Sequence, residues 1–108
     1  MLLNSDLWVG ALIRRAQIEG ASATVVRRGD ARAGTVIVKA YNTTERTARL
    51  YSEAFGQDGE RLWIHPVSGT ESELDAYIER QRTYDPDLWV VEVEDRQGRH
   101  FIVEKVQD

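Results

Sequence analysis

Two stretches of this chain carry the spacing of an amphipathic helix, while six short runs between and after them read as strands. That ratio constrains the fold more than any other feature. Parallel neighbours need a long crossover, usually a helix, between each pair. With so few helices, most strand neighbours must be antiparallel. The expectation is an α+β domain in the order α-β-β-β-β-α-β-β, with a mostly antiparallel sheet and two helices packed on one face.

The local signals behind that order are specific. Ser5 can cap a helix and Asp6 suits its positive end. Trp8, Val9, Leu12, Ile13 and Ala16 then share one face, and Gly20 is placed to end the helix, which should run from about Asp6 to Glu19. Leu7, Ala11 and Ile18 lie off that face and suggest cover on a second side. Thr24–Arg28, Thr35–Tyr41, Ala48–Ser52 and Arg61–His65 read as a four-strand meander. Its turns would fall at Gly29–Gly34, Asn42–Thr44 and the Asp58-Gly59 pair, and Pro66 would close it. Thr70 and Glu73 have the capping-box spacing, so the second helix should span about Glu71 to Thr83 and stop before Pro86. The last segment reads as a hairpin, Leu88–Glu94 against His100–Val106, turning at Asp95–Gly98. In that register Val93 faces Phe101 and Glu94 lies opposite His100.

Bulk properties remove several functions. A length of 108 residues suits one domain, residues 1–108. With no cysteine, thiolate catalysis and cysteine-ligated metal centres are excluded. The N-terminus lacks a signal-peptide pattern and no apolar run approaches a membrane span, so a cytoplasmic address with no membrane contact is expected. Acidic residues number 18 against 14 basic ones, for a net charge of −4. The bases are interspersed rather than clustered, which disfavours general nucleic-acid binding. Asp6-Leu7-Trp8-Val9 recurs as Asp87-Leu88-Trp89-Val90. The flanks do not match, and the echo is read as two segments with similar packing needs.

Three segments together carry a resemblance: Ser5–Val9, Arg27-Arg28-Gly29-Asp30-Ala31-Arg32-Ala33-Gly34, and Asp85-Pro86-Asp87-Leu88-Trp89-Val90-Val91-Glu92-Val93-Glu94-Asp95. They resemble a family of short alphaproteobacterial proteins known only as a domain of unknown function. The last segment is the most specific, and the stretch from about Asn42 to Ser68 fits more loosely. The resemblance implies a bacterial, stand-alone domain and brings no activity, substrate or catalytic residue.

The residues themselves offer few reactive constellations. His65 and His100 are the two histidines. Glu92 and Glu94 share a strand face near His100 in the expected register, yet a solvated strand face explains them better than a metal site. No serine elbow or phosphate-cradling glycine loop is present. No catalytic residue, metal site or cofactor is therefore assigned. Arg28 and Arg32 could converge on an anion beside Gly29. Tyr51 and Phe55 share a strand parity with charged neighbours and could form an exposed interaction surface. The leading expectation is a non-enzymatic protein-interaction or regulatory module, with a homodimer or another protein as partner. The alternatives are a small anionic-ligand binder or enzyme, with a pocket near Arg28 and Arg32 or near Asp85, Trp89 and His100, and local nucleic-acid contact.

Overall fold

The computed structural model describes residues 4–55, 61–65 and 68–107, with the side chains of Phe55 and Arg61 outside that description. The Asp58-Gly59 pair and Pro66, assigned above to a turn and a strand end, also fall outside the described residues. The elements are α1 (Ser5–Ile18), β1 (Ser22–Arg27), β2 (Val36–Asn42), β3 (Thr47–Phe55), β4 (Arg61–Ile64), β5 (Ser68–Gly69), α2 (Glu71–Tyr84), β6 (Trp89–Asp95) and β7 (Val106–Gln107). The order of helices and strands is as expected, with the short β5 added. The strands form one sheet in the order β1-β6-β2-β3-β4-β7, and β5 pairs with β3.

Most pairings are antiparallel, but the sheet is mixed: β2 runs parallel to β6, and β4 parallel to β7. Two expected pairings fail for one reason. β6 inserts between β1 and β2, so the meander begins at β2, and β6 has no free edge to offer a hairpin partner. Val91 lies between Val25 and Val38, and Val93 between Ala23 and Ala40. The turn at Asp95–Gly98 does form, with Gly98 at φ 71° and its N–H on the Asp95 carbonyl at 3.1 Å. Phe101, at φ 62°, then redirects the chain across α1. There the Phe101 carbonyl accepts from Arg15, and Glu104 accepts from the Trp8 indole at 2.9 Å.

The two helices pack on opposite faces of the sheet, not on one. Trp8, Val9, Leu12 and Ala16 of α1 bury against Val36, Val38, Ala40, Trp89, Val91 and Val93. Leu74 and Ile78 of α2 bury against Ile37, Leu50, Leu88 and Val90. Successive strand residues point to opposite faces, so the central strands need apolar residues at both parities. Val36-Ile37-Val38 and Trp89-Val90-Val91 supply them. Such continuous apolar runs mark a strand buried on both sides. Leu7 and Ile18 remain exposed, at 58% and 73%, so the expected second cover does not reach these two positions.

α1 starts one residue earlier than expected. Asn4 is the N-cap residue, and its side chain makes no capping bond. Ser5 is buried instead and its hydroxyl donates to the Gly34 carbonyl at 2.6 Å. The backbone amides of Ser5 and Asp6 donate to the Arg32 and Ala31 carbonyls at 3.3 and 3.0 Å, so the loop after β1 satisfies donors that the helix start leaves open. The same loop grips β6: the Trp89 indole donates to the Asp30 carbonyl at 2.7 Å, and the Asp30 amide to the Asp87 carbonyl at 3.0 Å. All three segments that carry the family resemblance meet in this knot. The echoed Trp8 and Trp89 both lie in the α1-side core, with Trp8 stacked on Trp63 at 4.8 Å.

Candidate binding groove

The α2 face of the sheet is only partly covered. α2 lies over β3 and β5 and rests Ile78 on the β6 residues nearest it. Beside it, toward edge strand β1, a cavity of about 520 Å³ opens. Its volume lies in the range typical of ligand sites. The apolar lining comes from Val26, Ile78 and Val90, and the charged lining from Arg27, Lys39, Asp75, Glu79, Arg82 and Glu92. A smaller hollow of about 200 Å³, lined by Ser22, Thr24 and Glu94, shares Val26 and Glu92 with the first. The two together form one groove along β1 and β6.

Register explains the composition. On β6, Val90, Glu92 and Glu94 turn away from the α1-side core. Their β1 partners are Arg27, Thr24 and Ser22, with an irregularity between Val25 and Arg27. Lys39, beside Glu92 on β2, turns the same way. The residue is 6% exposed, and its ammonium donates to Glu71 at 3.0 Å and Asp75 at 3.2 Å. Burial works to lower the Lys39 pKa. The hydrogen bonds to Glu71 and Asp75, with the charges of Glu92 and Asp75, outweigh it and hold the pKa above its usual value. Burial raises the Glu92 pKa; Lys39 opposes the shift, while Glu94, Glu71 and Asp75 add to it.

The arginines stand at the other end of the groove. Arg27 donates to the Pro86 carbonyl at 3.0 Å, and Arg82 bridges to Glu79 at 2.8 Å. Each has a buried Nε–H without a hydrogen-bond partner among the described residues.

The residues singled out from sequence are placed elsewhere. Arg28 is exposed, with its guanidinium carbon 5.1 Å from the centre of the Trp89 ring. Arg32 is exposed in the loop that closes on α1. Neither lines the groove. Tyr51 is not an exposed surface residue. It is 7% exposed, its ring stacked on His65 and tilted against His100 at 4.7 Å. Its parity faces α1 and the C-terminal tail, a layer that an open-faced sheet would not have. The Phe55 side chain lies outside the described residues. Asp85, Trp89 and His100 form no common pocket. Asp85 accepts from Thr35 at 2.7 Å, Trp89 is buried on Asp30, and His100 sits on Tyr51 with Nδ1 accepting from the Ile102 amide. The Glu92–Glu94–His100 grouping does not assemble either, since Glu94 pairs with Ser22 and Tyr41. Arg27, Lys39 and Arg82 were missed. The lone lysine within the apolar run Val36–Ala40 was the available signal, because a charge there demands nearby partners.

The model of the family described as "Protein of unknown function (DUF1491)" matches residues 3–103. This chain belongs to the DUF1491 family. A crystal structure of a DUF1491 family protein from Caulobacter crescentus CB15 is 62% identical, covers 98% of this chain and 100% of its own, and superposes with a TM-score of 0.95. An NMR structure of a DUF1491 family protein from the same organism is 61% identical, covers 100% of this chain and 99% of its own, and gives 0.93. The solution structure of a protein from A. tumefaciens is 31% identical, with 100% and 98% coverage and a TM-score of 0.84. No curated protein matches the chain. The family segments Arg27–Gly34 and Asp85–Asp95 meet at the knot around Trp89, and Arg27, Val90 and Glu92 reach from them into the groove. No described helix is long and apolar enough to cross a membrane.

Proposed function

We propose that this DUF1491 protein is a non-enzymatic protein-interaction module, and that an extended segment of a partner protein docks along β1 and the groove beside α2. The observation that carries this reading is the half-covered face: α2 leaves β1 and β6 open beside it, and β1 is the sheet edge. An edge strand presents unpaired backbone donors and acceptors, and an added strand gains affinity from them while alternate side chains enter adjoining pockets. Val25 and Val26 are exposed at 37% and 60%. The irregularity after Val25 limits such pairing to the Ser22–Val25 end.

The test places a photoreactive side chain at Thr24 in the full chain, in cells that make the protein, with Arg14 on exposed α1 surface as control. The expected result is one dominant adduct from Thr24 that maps to a segment of another protein. A synthetic copy of that segment should then shift the amide resonances of residues 22–27 in the purified chain. Adducts that are equal at both positions, or that join two copies of this chain, contradict the reading.

A further inference from the structure

We infer that the groove is charge-polarised and selects a segment with an acidic side chain over its Arg27–Arg82 end and a basic side chain over its Glu92–Glu94 end. This inference rests on the interaction reading and specifies the chemistry of its partner.

The polarity follows from the pairing. Arg27 lies opposite Val90 and Ser22 opposite Glu94, so the cationic and anionic ends are separated by the run of β6 from Val90 to Glu94. Four residues of strand span about 13 Å. On α2 the order agrees, with Asp75 near the start bonded to Lys39, and Arg82 in the last turn. Val26, Ile78 and Val90 give an apolar floor near the cationic end.

The cations at the two ends are not equivalent. Lys39 is buried and already held by two carboxylates, so it serves the fold. Arg27 and Arg82 are only half-buried; one amino group of Arg27 is on the Pro86 carbonyl and one of Arg82 is on Glu79, so the end keeps a net positive charge, and each also has a buried Nε–H without a hydrogen-bond partner among the described residues. An arriving carboxylate can engage the fork of either guanidinium. At the far end Glu94 is exposed and Glu92 is half-buried, and they repel each other. Lys39 offsets one of those charges while sharing its ammonium with Glu71 and Asp75. A basic side chain there relieves the repulsion. An extended segment puts residues i, i+2 and i+4 on one face, so an acidic–aliphatic–basic pattern at that spacing matches the groove from end to end.

The test uses the whole chain and four blocked pentapeptides: Asp-Ser-Val-Ser-Arg, its all-acidic and all-basic relatives with both ends Asp or both Arg, and a neutral one with both ends Ser. Amide shifts of the ¹⁵N-labelled protein report binding. The bipolar peptide is expected to bind most tightly, by about 2- to 5-fold for each complementary charge, the range for exposed pairs. The variant R82Q should weaken the bipolar and all-acidic peptides and bind the all-basic one no more weakly than the parent does. E94Q should do the converse. A nitroxide at the acidic end of the bipolar peptide should broaden Ile78 and Val90 more than Ser22 and Glu94.

Equal affinity for the four peptides, or broadening at the Glu94 end, overturns the polarity and leaves the interaction reading standing. No groove shift with any peptide overturns both. Shifts as large with 6-aminohexanoate as with the bipolar peptide assign the groove to a small zwitterion and overturn the protein partner.

Discussion

Replacing Gly29 by alanine should damage the fold out of proportion to the one methyl group added. A Cβ at Gly29 would collide with the Asp87 carbonyl and lie 2.6 Å from Cδ1 of Trp89. Neither neighbour can yield cheaply. The Asp87 carbonyl accepts from the Asp30 amide, and Trp89 is 2% exposed with its indole on the Asp30 carbonyl. Overpacking costs about 1–3 kcal/mol, and each weakened hydrogen bond adds about 0.5–1.5 kcal/mol. The expected loss is therefore about 3–5 kcal/mol, a large share of a small domain's stability. At roughly 4 °C per kcal/mol for a chain of this size, the melting temperature should fall by about 12–20 °C. Gly10 provides the opposite control. It lies in α1 with nothing within 4 Å of an added Cβ, so Gly10→Ala should stabilise by up to about 1 kcal/mol. Urea denaturation of both variants and the parent measures the contrast. If Gly29→Ala and Gly10→Ala both fall within about 0.5 kcal/mol of the parent, the tight approach of loop to strand is wrong.

Further outcomes concern the charged groups. Asp95 is buried and accepts from Arg99 and from the Gln97 and Arg99 amides. The side-chain bond from Arg99 is the main reason its pKa drops to about 2. A lowered carboxyl pKa stabilises the fold above the unfolded value of 3.8 and is lost as pH falls toward 2. Allowing for the 39% exposure of Arg99, Asp95→Asn should cost on the order of 1–2 kcal/mol at neutral pH, with no extra cost at pH 2. Burial lowers the His100 pKa below 6.5. An NMR titration of its ring should therefore show a midpoint under that value, and His100 should reduce stability as pH falls below 6.5, because the unfolded chain takes up the proton first. Lys39→Met removes the positive charge that draws the Glu92 pKa down, so carboxyl titration should move Glu92 further up; an unchanged value would show that the two side chains do not face one groove.

Much of the fold was legible because its signals were local. The Thr70–Glu73 capping box forms as its spacing indicates. Gly20 adopts a positive φ of 84° at the end of α1. Asn42 accepts from the Thr44 and Glu45 amides, making the expected turn. What failed was non-local. Strand order depends on which edges meet in space, and nothing in Leu88–Val106 alone says that β6 will slot between β1 and β2. The apolar runs Val36–Val38 and Leu88–Val91 suit burial on both faces, yet both helices were expected on one face, and an alternation argument applied to β3 exposed Tyr51 on a face that α1 and the tail cover. The groove was illegible for the same reason. Arg27, Arg82 and Glu92 are ordinary surface residues until α2 and β1 are set side by side, and Arg28 drew attention while its neighbour Arg27 took the inward place.

The groove exists only if α2 leaves the β1–β6 part of its face open. Because the chain has no cysteine, a thiol placed at Thr24 reports on that region alone. Thr24→Cys should react with a maleimide at close to the rate of a free thiol, and Ala16→Cys, on the buried face of α1, should be slower by orders of magnitude. Protection of the Thr24 thiol comparable to that at Ala16, persisting at low protein concentration, would mean that the chain covers this face itself and that no groove exists there.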